Sequence, residues 1–433
     1  MKIKEKFDLL GVDSAPGQEV RRRDDDLPAK GDVLPGIPVD FSHGDVDAHP
    51  PIPGALDTFC AGFDEGGAQA YTEYRGRETI RLDIAQKLSV LTGRDVDAGE
   101  ELILTPGTQG ALFLAMGACV ASGDKVAYVE PDYFANRKMI DFLEGEKMPV
   151  PMRWIRNDAE CASATDKGNK STTMSADKEC AASPACYPET GSGIDLDVLE
   201  QAFRDGARLF LFSNPNNPTG AVYSKEELAQ IAELCNSYGV SVIADELYSR
   251  QMYDGREFTH FSSLANRPEN LVTIIGPSKT ESMSGFRLGV AFGNAEIIRR
   301  MEKLQAIVSL RCSGYNQAVF ANWMSEPEGW LAARVAAHQA IRNDVLEVFL
   351  QAGLEATPPR GGSYLFVRIP KLEIEPHQFV ALLRIQAGVI VTPGTEFGPS
   401  FADWFRINFS QDHTNAVAAA ERIVQLIERY VAS

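Results

Sequence analysis

Hydrophobic residues in this chain form short continuous runs, separated by stretches in which they recur with a helical period. The continuous runs at 208–212, 240–244 and 271–275 are rich in β-branched and large apolar residues, which predicts strands buried on both faces of a sheet. Between the first two runs, residues 225–238 place apolar side chains three or four positions apart, as a packed helix does. This alternation favours an α/β fold whose mostly parallel sheet is sandwiched by helices.

The pattern extends toward the amino terminus. Residues 102–105 and 125–129 are predicted strands, and apolar positions from Ile80 to Leu91 predict a helix that ends at Gly93. A Gly-rich turn, 106–110, is predicted to lead into a helix over 111–119.

The carboxyl-terminal third mixes longer helices with separate strands, which predicts a smaller α+β domain. Its predicted helices and strands are a broken helix over 295–322, helices over 329–350, 379–386 and 417–430, and strands over 361–369, 388–392 and 404–410. The expected domains are an amino-terminal arm (1–36), a large domain (56–310), and a small domain formed by 37–55 together with 311–433.

Composition and charge narrow the class of protein. The 433 residues carry 42 Lys and Arg against 60 Asp and Glu, a net charge of −18, which argues against nucleic acid and anionic membranes as partners. No apolar run reaches the roughly 18 residues of a membrane span, and the first residues lack the apolar core of a secretory signal. Seven scattered cysteines without metal-ligand spacing favour reduced thiols, so we expect a cytoplasmic protein and no metal site.

Residues 157–193 differ from the rest of the chain. Small and polar residues dominate, apolar periodicity disappears, and Cys161, Cys180 and Cys186 fall there. We interpret this segment as a poorly ordered insertion. The alternative, a cysteine metal site, is weaker because these spacings fit no common zinc pattern.

Candidate chemistry lies at the ends of the predicted strands. Lys279 follows the strand 271–275 and is flanked by small residues, and Arg287 lies between Gly285 and Gly289, where backbone can approach a ligand closely. A lysine that can bond covalently to an aldehyde, together with an arginine for a phosphate, is what a pyridoxal 5′-phosphate (PLP) site requires. Most such lysines are simply solvated, so this stretch alone is ambiguous.

Further strand ends add polar groups that fit the same cofactor. Two Asn-Pro pairs in 213–220 fix a non-helical backbone that holds Asn217 as an amide donor. Asp245 and Tyr248 follow the strand 240–244; a carboxylate could keep the pyridine nitrogen protonated, and the hydroxyl could bond to the ring oxygen. Parallel strands gather such residues at one edge of a sheet.

Two more candidates follow the strands nearer the amino terminus. Thr108 and Gln109 stand in a strand–turn–helix segment whose free amides could bind a phosphate, although a plain turn has the same pattern. Tyr133 follows the strand 125–129 and could stack on a flat ring, although it could equally be a core residue.

Four strings, taken in order, resemble those of the fold-type I PLP-dependent aminotransferases of class I/II, relatives of aspartate aminotransferase. They are Asn-Pro-Asn-Asn-Pro-Thr-Gly (214–220), Ala-Asp-Glu-Leu-Tyr (244–248), Ser-Lys (278–279) with Gly-Phe-Arg-Leu-Gly (285–289), and Phe-Arg-Ile-Asn-Phe (405–409). The resemblance covers about residues 37–430. It implies the PLP-dependent transferase fold, PLP as cofactor, amino acid and 2-oxo acid substrates, and a homodimer with active sites at the interface.

The resemblance also implies roles for single residues. Lys279 would carry the cofactor and move a proton, while Ser278, Arg287, Thr108 and Gln109 would hold its phosphate. Tyr133 would stack on the ring, Tyr71 would reach a phosphate across the dimer, and Arg406 would bind the substrate α-carboxylate beside a flexible loop at Gly44.

Gly276 departs from the family pattern, because many relatives have a phosphate-binding serine three residues before the lysine. Ser278 or a backbone amide is therefore expected to compensate. No second arginine stands out as a clamp for a side-chain carboxylate; Arg311 is the one candidate, and a solvated or structural arginine is the commoner case. Asp45 and Asp47 follow Gly44, so we expect neutral or basic amino acids to be better donors than aspartate or glutamate.

Other reactions on the same fold remain open at this point. The motifs specify PLP and an α-amino carboxylate, and they leave open a β/γ-lyase, a cyclising synthase or an oxygen-using enzyme. A PLP-fold transcription regulator is disfavoured because the arm 1–36 shows no helix-turn-helix pattern. A protein with an inactive site is disfavoured because every core residue of the site is present.

Overall fold

The computed structural model describes residues 3–10, 27–152, 192–356 and 358–432. Its strands, in chain order, are β1 (Val39–Asp40), β2 (Leu102–Pro106), β3 (Lys125–Glu130), β4 (Glu146–Pro151), β5 (Ala207–Ser213), β6 (Ser241–Asp245), β7 (Leu271–Ile275), β8 (Leu288–Gly293), β9 (Tyr364–Arg368), β10 (Val389–Ile390), β11 (Thr392–Pro393) and β12 (Trp404–Asn408).

The helices surround these strands. In chain order they are α1 (Ile3–Asp8), α2 (Ala55–Asp64), α3 (Gly67–Ala70), α4 (Glu78–Thr92), α5 (Gly107–Cys119), α6 (Phe134–Phe142), α7 (Leu196–Arg204), α8 (Lys225–Tyr238), α9 (Ala295–Val308), α10 (Gly314–Gln317), α11 (Trp330–Gln351), α12 (Pro376–Leu382) and α13 (His413–Tyr430). None of those within the described ranges is both long and apolar enough to cross a membrane.

A seven-stranded sheet in the order β2-β8-β7-β6-β5-β3-β4 is the centre of the larger part of the molecule. Only β8 runs antiparallel to its neighbours, so the predicted mostly parallel sheet is confirmed. The carboxyl ends of β5, β6 and β7 therefore lie side by side at one edge. Polar residues that follow these three strands are brought together for this reason.

Side chains alternate between the two faces of this sheet. On β5, Phe210 and Phe212 pack toward α7 and α8, whereas Leu209 and Leu211 pack with α5 and α9 on the other face. Both sets are buried, which explains why the strand reads as a continuous apolar run. The predicted helix α8 is also confirmed, starting at a Ser224–Glu227 capping box and ending at Gly239.

A second group of strands forms a smaller sheet. Strands β11, β12 and β9 are antiparallel, and a separate pair joins β1 to β10. Val39 and Phe41 share their hydrophobic core with α11, α13 and this smaller sheet. The amino-terminal segment thus packs with carboxyl-terminal elements, while the domain boundaries given above stay a prediction.

Several predicted elements differ in detail. The turn at 106–110 belongs mostly to α5, which begins at Gly107; this glycine has a left-handed backbone (φ 76°) that residues with a side chain rarely adopt. The strand predicted over 388–392 is two short strands in different sheets, and the helix predicted over 379–386 is α12 followed by a wider helical turn, Leu383–Ala387. The predicted arm contains α1, whose Phe7 packs on Phe142 with ring centroids 6.1 Å apart.

Among the strands that the structure describes, β4 lies at one edge of the large sheet and pairs with β3 alone. Pro149 and Pro151 both stand in it, opposite Tyr128 and Glu130 of β3. Proline cannot donate a backbone hydrogen bond, so it is tolerated in an edge strand where its nitrogen faces away from the neighbour.

Of the predicted insertion 157–193, only Ser192 and Gly193 are described, and its three cysteines lie outside the described residues. The chain on either side of it meets in an antiparallel bridge between Met152 and Ile194. The chain therefore leaves and re-enters the described structure at neighbouring positions. Four cysteines in the described ranges are free: Cys60, Cys119, Cys235 and Cys312.

We predict that deleting residues 160–188 leaves the protein folded and able to bind its cofactor. Loop-closure entropy changes by only about 0.6 kcal/mol for each doubling of loop length, and the bridge between Met152 and Ile194 remains. Thermal unfolding and cofactor stoichiometry of the deleted and full-length chains measure this. A chain that fails to fold, while a Gly-Ser replacement of the same length folds, would show that the length of the segment matters.

Candidate active site

The edge where β5, β6 and β7 end carries an enclosed cavity of about 140 Å³. The described residues that line it include nine of those singled out from the sequence: Thr108, Gln109, Tyr133, Asn217, Asp245, Tyr248, Ser278, Lys279 and Arg287. A wider cavity of about 620 Å³ shares Ser278, Lys279 and Ser284 with it and opens outward past Gly44.

Asn217 is held by the turn that follows β5. Asn216 fixes this turn, because its Oδ1 accepts from the Thr219 hydroxyl (2.7 Å) and its backbone bonds to Ala221 and Gly220. Asn217 itself is buried, and its Oδ1 accepts a hydrogen bond from Arg406 Nη1 (3.0 Å). The Asn217 amide group is therefore oriented with its NH₂ group available for the cavity.

Asp245 ends β6 with its carboxyl group facing the cavity, and Leu247 N donates to its Oδ1 (3.2 Å). Burial raises the pKa of Asp245 to about 6, and the neighbouring Lys279 partly opposes that rise. The group is therefore charged at neutral pH and protonated in mild acid. A carboxylate in this setting can hold a cation at its face of the cavity.

Lys279 follows β7, in a tight turn where Ser282 N donates to the Lys279 carbonyl (2.9 Å). Ser282 has a left-handed backbone (φ 55°), which turns the chain back sharply behind the lysine. Ser278 lines both cavities, but its hydroxyl donates to the Leu288 carbonyl (3.3 Å). Its single proton is therefore already engaged, and backbone amides are the better source of donors.

Arg287 and the amino terminus of α5 meet at one end of the cavity. A side chain at Gly107 would collide with the Arg287 guanidinium, so the glycine permits this close approach. The first amides of α5, including those of Thr108 and Gln109, have no partner within the helix and carry the positive end of its dipole. An arginine and a helix amino terminus together form an anion site suited to a phosphate.

The departure at Gly276 has a steric reason. A Cβ atom at this position would lie 3.0 Å from Thr108 Cγ2 and 3.4 Å from the Gly289 Cα. A serine at 276 and a threonine at 108 would therefore compete for the same space. Thr108 occupies it in this chain.

Asp132 and Ser213 were missed by the sequence analysis and lie directly behind this site. Asp132 is buried, its Oδ1 accepts from Tyr133 N (2.7 Å) and the Ser213 hydroxyl, and its Oδ2 accepts from Ser213 N (3.1 Å). Burial raises the pKa of Asp132 to about 7. Because Asn217 N in turn donates to Ser213 Oγ (3.3 Å), these contacts tie the Tyr133 loop to the Asn217 turn.

Arg406 reaches the site from β12 of the smaller sheet. Its Nη2 donates to the Ser42 carbonyl (2.9 Å) and to Thr392 Oγ1 (3.1 Å), while its buried Nε has no partner among the described residues. The guanidinium lies 4.3 Å from the Tyr364 ring centroid and 5.0 Å from that of Phe397. A fixed guanidinium with an unused donor can bind a carboxylate.

Two predicted residues stay outside this constellation within one chain. Tyr71 is 82% exposed and lines neither cavity. Arg311 donates to the Thr72 carbonyl (2.7 Å) and lies over the rings of Tyr71 and Tyr74. Neither residue reaches Lys279 from its own chain.

The residues present fit PLP. The small cavity offers a lysine for the aldehyde, an acid for the ring nitrogen, hydroxyl and amide groups for the ring oxygen, and an arginine beside a helix amino terminus for the phosphate. Within the described ranges, no group of three or more His, Cys, Asp or Glu is placed to hold a metal ion.

Comparison with known proteins identifies the family of the chain. The family model "Aminotransferase class I and II" matches residues 181–423. The crystal structure of an aspartate aminotransferase from Rhodobacter sphaeroides is similar over 100% of both chains, with 54% identity and a TM-score of 0.87. The aspartate/prephenate aminotransferase of Thermus thermophilus is 28% identical over 84% of this chain and 85% of its own. The arginine–pyruvate transaminase of Pseudomonas aeruginosa is 26% identical over 85% and 84%.

Fold and site thus define a PLP-dependent enzyme of fold type I. The chain belongs to the aminotransferase class I and II family, and it is a PLP-dependent transaminase that acts on small-molecule substrates. These relatives favour transamination over the lyase, synthase and oxygen-using reactions that the motifs left open.

Proposed function

We propose that this transaminase takes its amino group from a neutral or basic α-amino acid and passes it to a 2-oxo acid. The observation that carries the proposal is the charge of the outer cavity. Its described lining contains the carboxylates of Asp40, Asp45, Asp47 and Asp412, against Lys279 and His43 as the basic residues.

Among these four acids, His43 offsets only the charge of Asp40. Its Nε2 lies 3.5 Å from Asp40 Oδ2, and this contact raises the pKa of His43. Although burial acts in the opposite direction, hydrogen bonds from His43 and Ser42 bring the pKa of Asp40 to about 2. The two groups form a neutral pair when His43 is protonated, and they leave Asp45, Asp47 and Asp412 to set the charge of the entrance.

The roles of the inner residues follow from their positions. Arg406 would bind the substrate α-carboxylate through its unused Nε, with Asn217 and the loop at Gly44 beside it. PLP, when bound, supplies an electron-withdrawing ring that stabilises negative charge developing at the substrate Cα. Lys279 Nζ would take the Cα proton, Asp245 would keep a proton on the ring nitrogen, and Tyr248 would donate its hydroxyl proton to the ring oxygen.

The phosphate end of the cofactor would be held by Arg287 and by the first amides of α5, at Thr108 and Gln109. Tyr133 would cover one face of the ring, and Ser278 would border it. That the enzyme works in the cytoplasm stays a prediction from the sequence.

Substitution of Asp245 tests the proposed ring-nitrogen contact. Asp245→Asn should retain PLP but lose about 100-fold or more of kcat, because a neutral amide cannot hold the pyridinium proton. In the wild-type apoprotein, PLP affinity should also weaken below about pH 6, where Asp245 becomes protonated, and the variant should lack that step.

Borohydride reduction and peptide mapping of both proteins should place the cofactor on Lys279, which controls for a displaced cofactor. Near-normal turnover in the variant would refute the assignment of Asp245.

The donor preference is tested by comparing kcat/KM for alanine, leucine, arginine, aspartate and glutamate. Neutral and basic donors should exceed aspartate and glutamate. In the double variant Asp45→Asn/Asp47→Asn, kcat/KM for arginine should fall and that for aspartate should rise, each by about fivefold for every charge removed, because each carboxylate contributes about 1 kcal/mol at contact distance in a solvated site. Asparagine at position 45 keeps a side-chain oxygen that can accept the hydrogen bond from the backbone N–H of residue 47 (2.8 Å in the wild type). The loop should therefore stay intact.

Asp205→Asn, at an exposed helix end remote from both cavities, is the matched control. The Rhodobacter sphaeroides neighbour is named an aspartate aminotransferase, which supports the opposite preference. A tenfold lead for aspartate that Arg311→Ala abolishes would establish a dicarboxylate pocket instead.

We further propose that the active enzyme is a homodimer. Apolar and aromatic side chains are exposed on one surface around Arg311, where Tyr71 and Ile307 are each 82% exposed and Val308 and Leu310 lie beside them. Contiguous exposed apolar surface marks an interface. Since Tyr71 reaches neither cavity of its own chain, a second copy is the way for it to approach a phosphate.

Ile307→Glu should shift the protein from dimer to monomer, measured by sedimentation equilibrium, because an unpaired buried charge costs several kcal/mol. The monomeric variant should also bind PLP more weakly, because Tyr71 of the partner subunit is then missing from the site. Val431→Glu, at a 46% exposed site at the end of α13, should change neither property. A wild-type protein that is monomeric and fully active would refute the proposal.

A further inference from the structure

A second tyrosine, Tyr364, contacts Tyr248 inside the active-site cavity. The two hydroxyl oxygens are 2.6 Å apart, and the rings meet edge to face with centroids 5.4 Å apart. Both side chains are buried, and Tyr364 lines the same cavity as Lys279 and Asp245. Tyr248 follows β6 of the large sheet and Tyr364 begins β9 of the smaller one, so this contact joins the two sheets at the site.

Each hydroxyl has one proton to donate and two lone pairs to accept with. In the structure Tyr248 is the donor and Tyr364 the acceptor of this bond. If Tyr248 instead donates its proton to the ring oxygen of the cofactor, the bond between the tyrosines can persist only when Tyr364 donates to Tyr248. The direction of this one bond is therefore linked to the contact that Tyr248 makes with the cofactor.

Charges around Tyr364 make it the more acidic phenol of the pair. It is faced by Lys279, Arg406, Tyr248, Asp245 and Tyr133. Burial alone raises the pKa of Tyr364, but Lys279, Arg406 and the bond from Tyr248 together lower it below its ordinary value. The pKa of Tyr248 is raised well above its ordinary value, because of burial first and then the neighbouring Tyr364.

We propose that Tyr364 is a positioning residue that sets how strongly Tyr248 donates its proton to the cofactor ring oxygen. When Tyr364 donates to Tyr248, the positive charges of Lys279 and Arg406 strengthen that donation, which polarises the Tyr248 hydroxyl and strengthens the next hydrogen bond in the chain. Tyr364 acts through Tyr248 and need not touch the cofactor. The proposal rests on the role proposed above for Tyr248.

Its position beside Arg406 extends the consequence to substrate binding. The Arg406 guanidinium lies over the Tyr364 ring, 4.3 Å from its centroid, and its charge favours ionisation of that phenol. A substrate carboxylate bound to Arg406 would offset this charge and make Tyr364 less acidic. Binding of the α-carboxylate to Arg406 would therefore change, through Tyr364, the hydrogen bond that Tyr248 donates to the cofactor ring oxygen.

Tyr364→Phe tests the proposal, since phenylalanine keeps the ring under Arg406 and removes only the hydroxyl. With a weaker donor at Tyr248, the ring oxygen becomes more basic and the linkage between Lys279 and PLP keeps its proton to higher pH. The pH midpoint of the visible absorbance band of the bound cofactor should rise by about half a unit to one unit. Tyr430→Phe, which removes another buried hydroxyl far from Lys279, should leave that midpoint unchanged.

A second measurement uses the apoprotein and needs neither cofactor nor activity. Titration of tyrosinate absorbance near 295 nm should show one tyrosine of the wild type ionising below the others, and Tyr364→Phe should lack that step. If Tyr364→Phe does not fold, 3-fluorotyrosine at 364 replaces it: this more acidic phenol of similar size should lower the midpoint of the cofactor band. A midpoint that does not move with either substitution would refute the role of Tyr364, whatever the outcome for Asp245 and the donor panel.

Discussion

The hydrogen bond between Arg406 Nη1 and Asn217 Oδ1 holds the active site together, because it joins the two sheets of the molecule. Asn217, Asp245 and Lys279 are fixed relative to one another by the parallel order of β5, β6 and β7. Arg406 belongs to the other sheet, so contacts between the two sheets set its distance from Lys279. The bond to Asn217 (3.0 Å) does this from the large sheet, while the bond to the Ser42 carbonyl (2.9 Å) fixes the guanidinium from the amino-terminal segment.

Burial of polar groups is the second feature on which the site depends. Asp132 and Asp245 lie behind and within the cavity, and burial raises the pKa of both. Each is retained through a defined set of partners: Ser213 and Tyr133 N for Asp132, and Leu247 N with the cofactor site for Asp245. Such groups are costly unless they are satisfied, so the loss of one of these partners should destabilise the site.

The sequence predicted the framework well for physical reasons. Strands buried on both faces give continuous apolar runs, and the residues that follow 208–212, 240–244 and 271–275 had to share an edge. Tyr364 and Asp132 were not foreseen, because a tyrosine in a strand and an aspartate in a loop have no local signature; only three-dimensional packing places them against Tyr248 and Ser213. Tyr71 was named only through the family resemblance, because no feature of one chain shows a contact with another.

The edge strand β4 has a consequence for the behaviour of the protein in concentrated solution. An open sheet edge offers unpaired amides to any other strand that meets it, and this is a route to aggregation. Pro149 and Pro151 are two residues apart, so both lack a donor on the same side of β4, which is the side away from β3; there the Pro151 carbonyl already accepts from Asp195 N (2.9 Å). A strand of another molecule that met this side of β4 would find no backbone N–H donor at either proline. The prolines thus protect the sheet from growing beyond its seven strands.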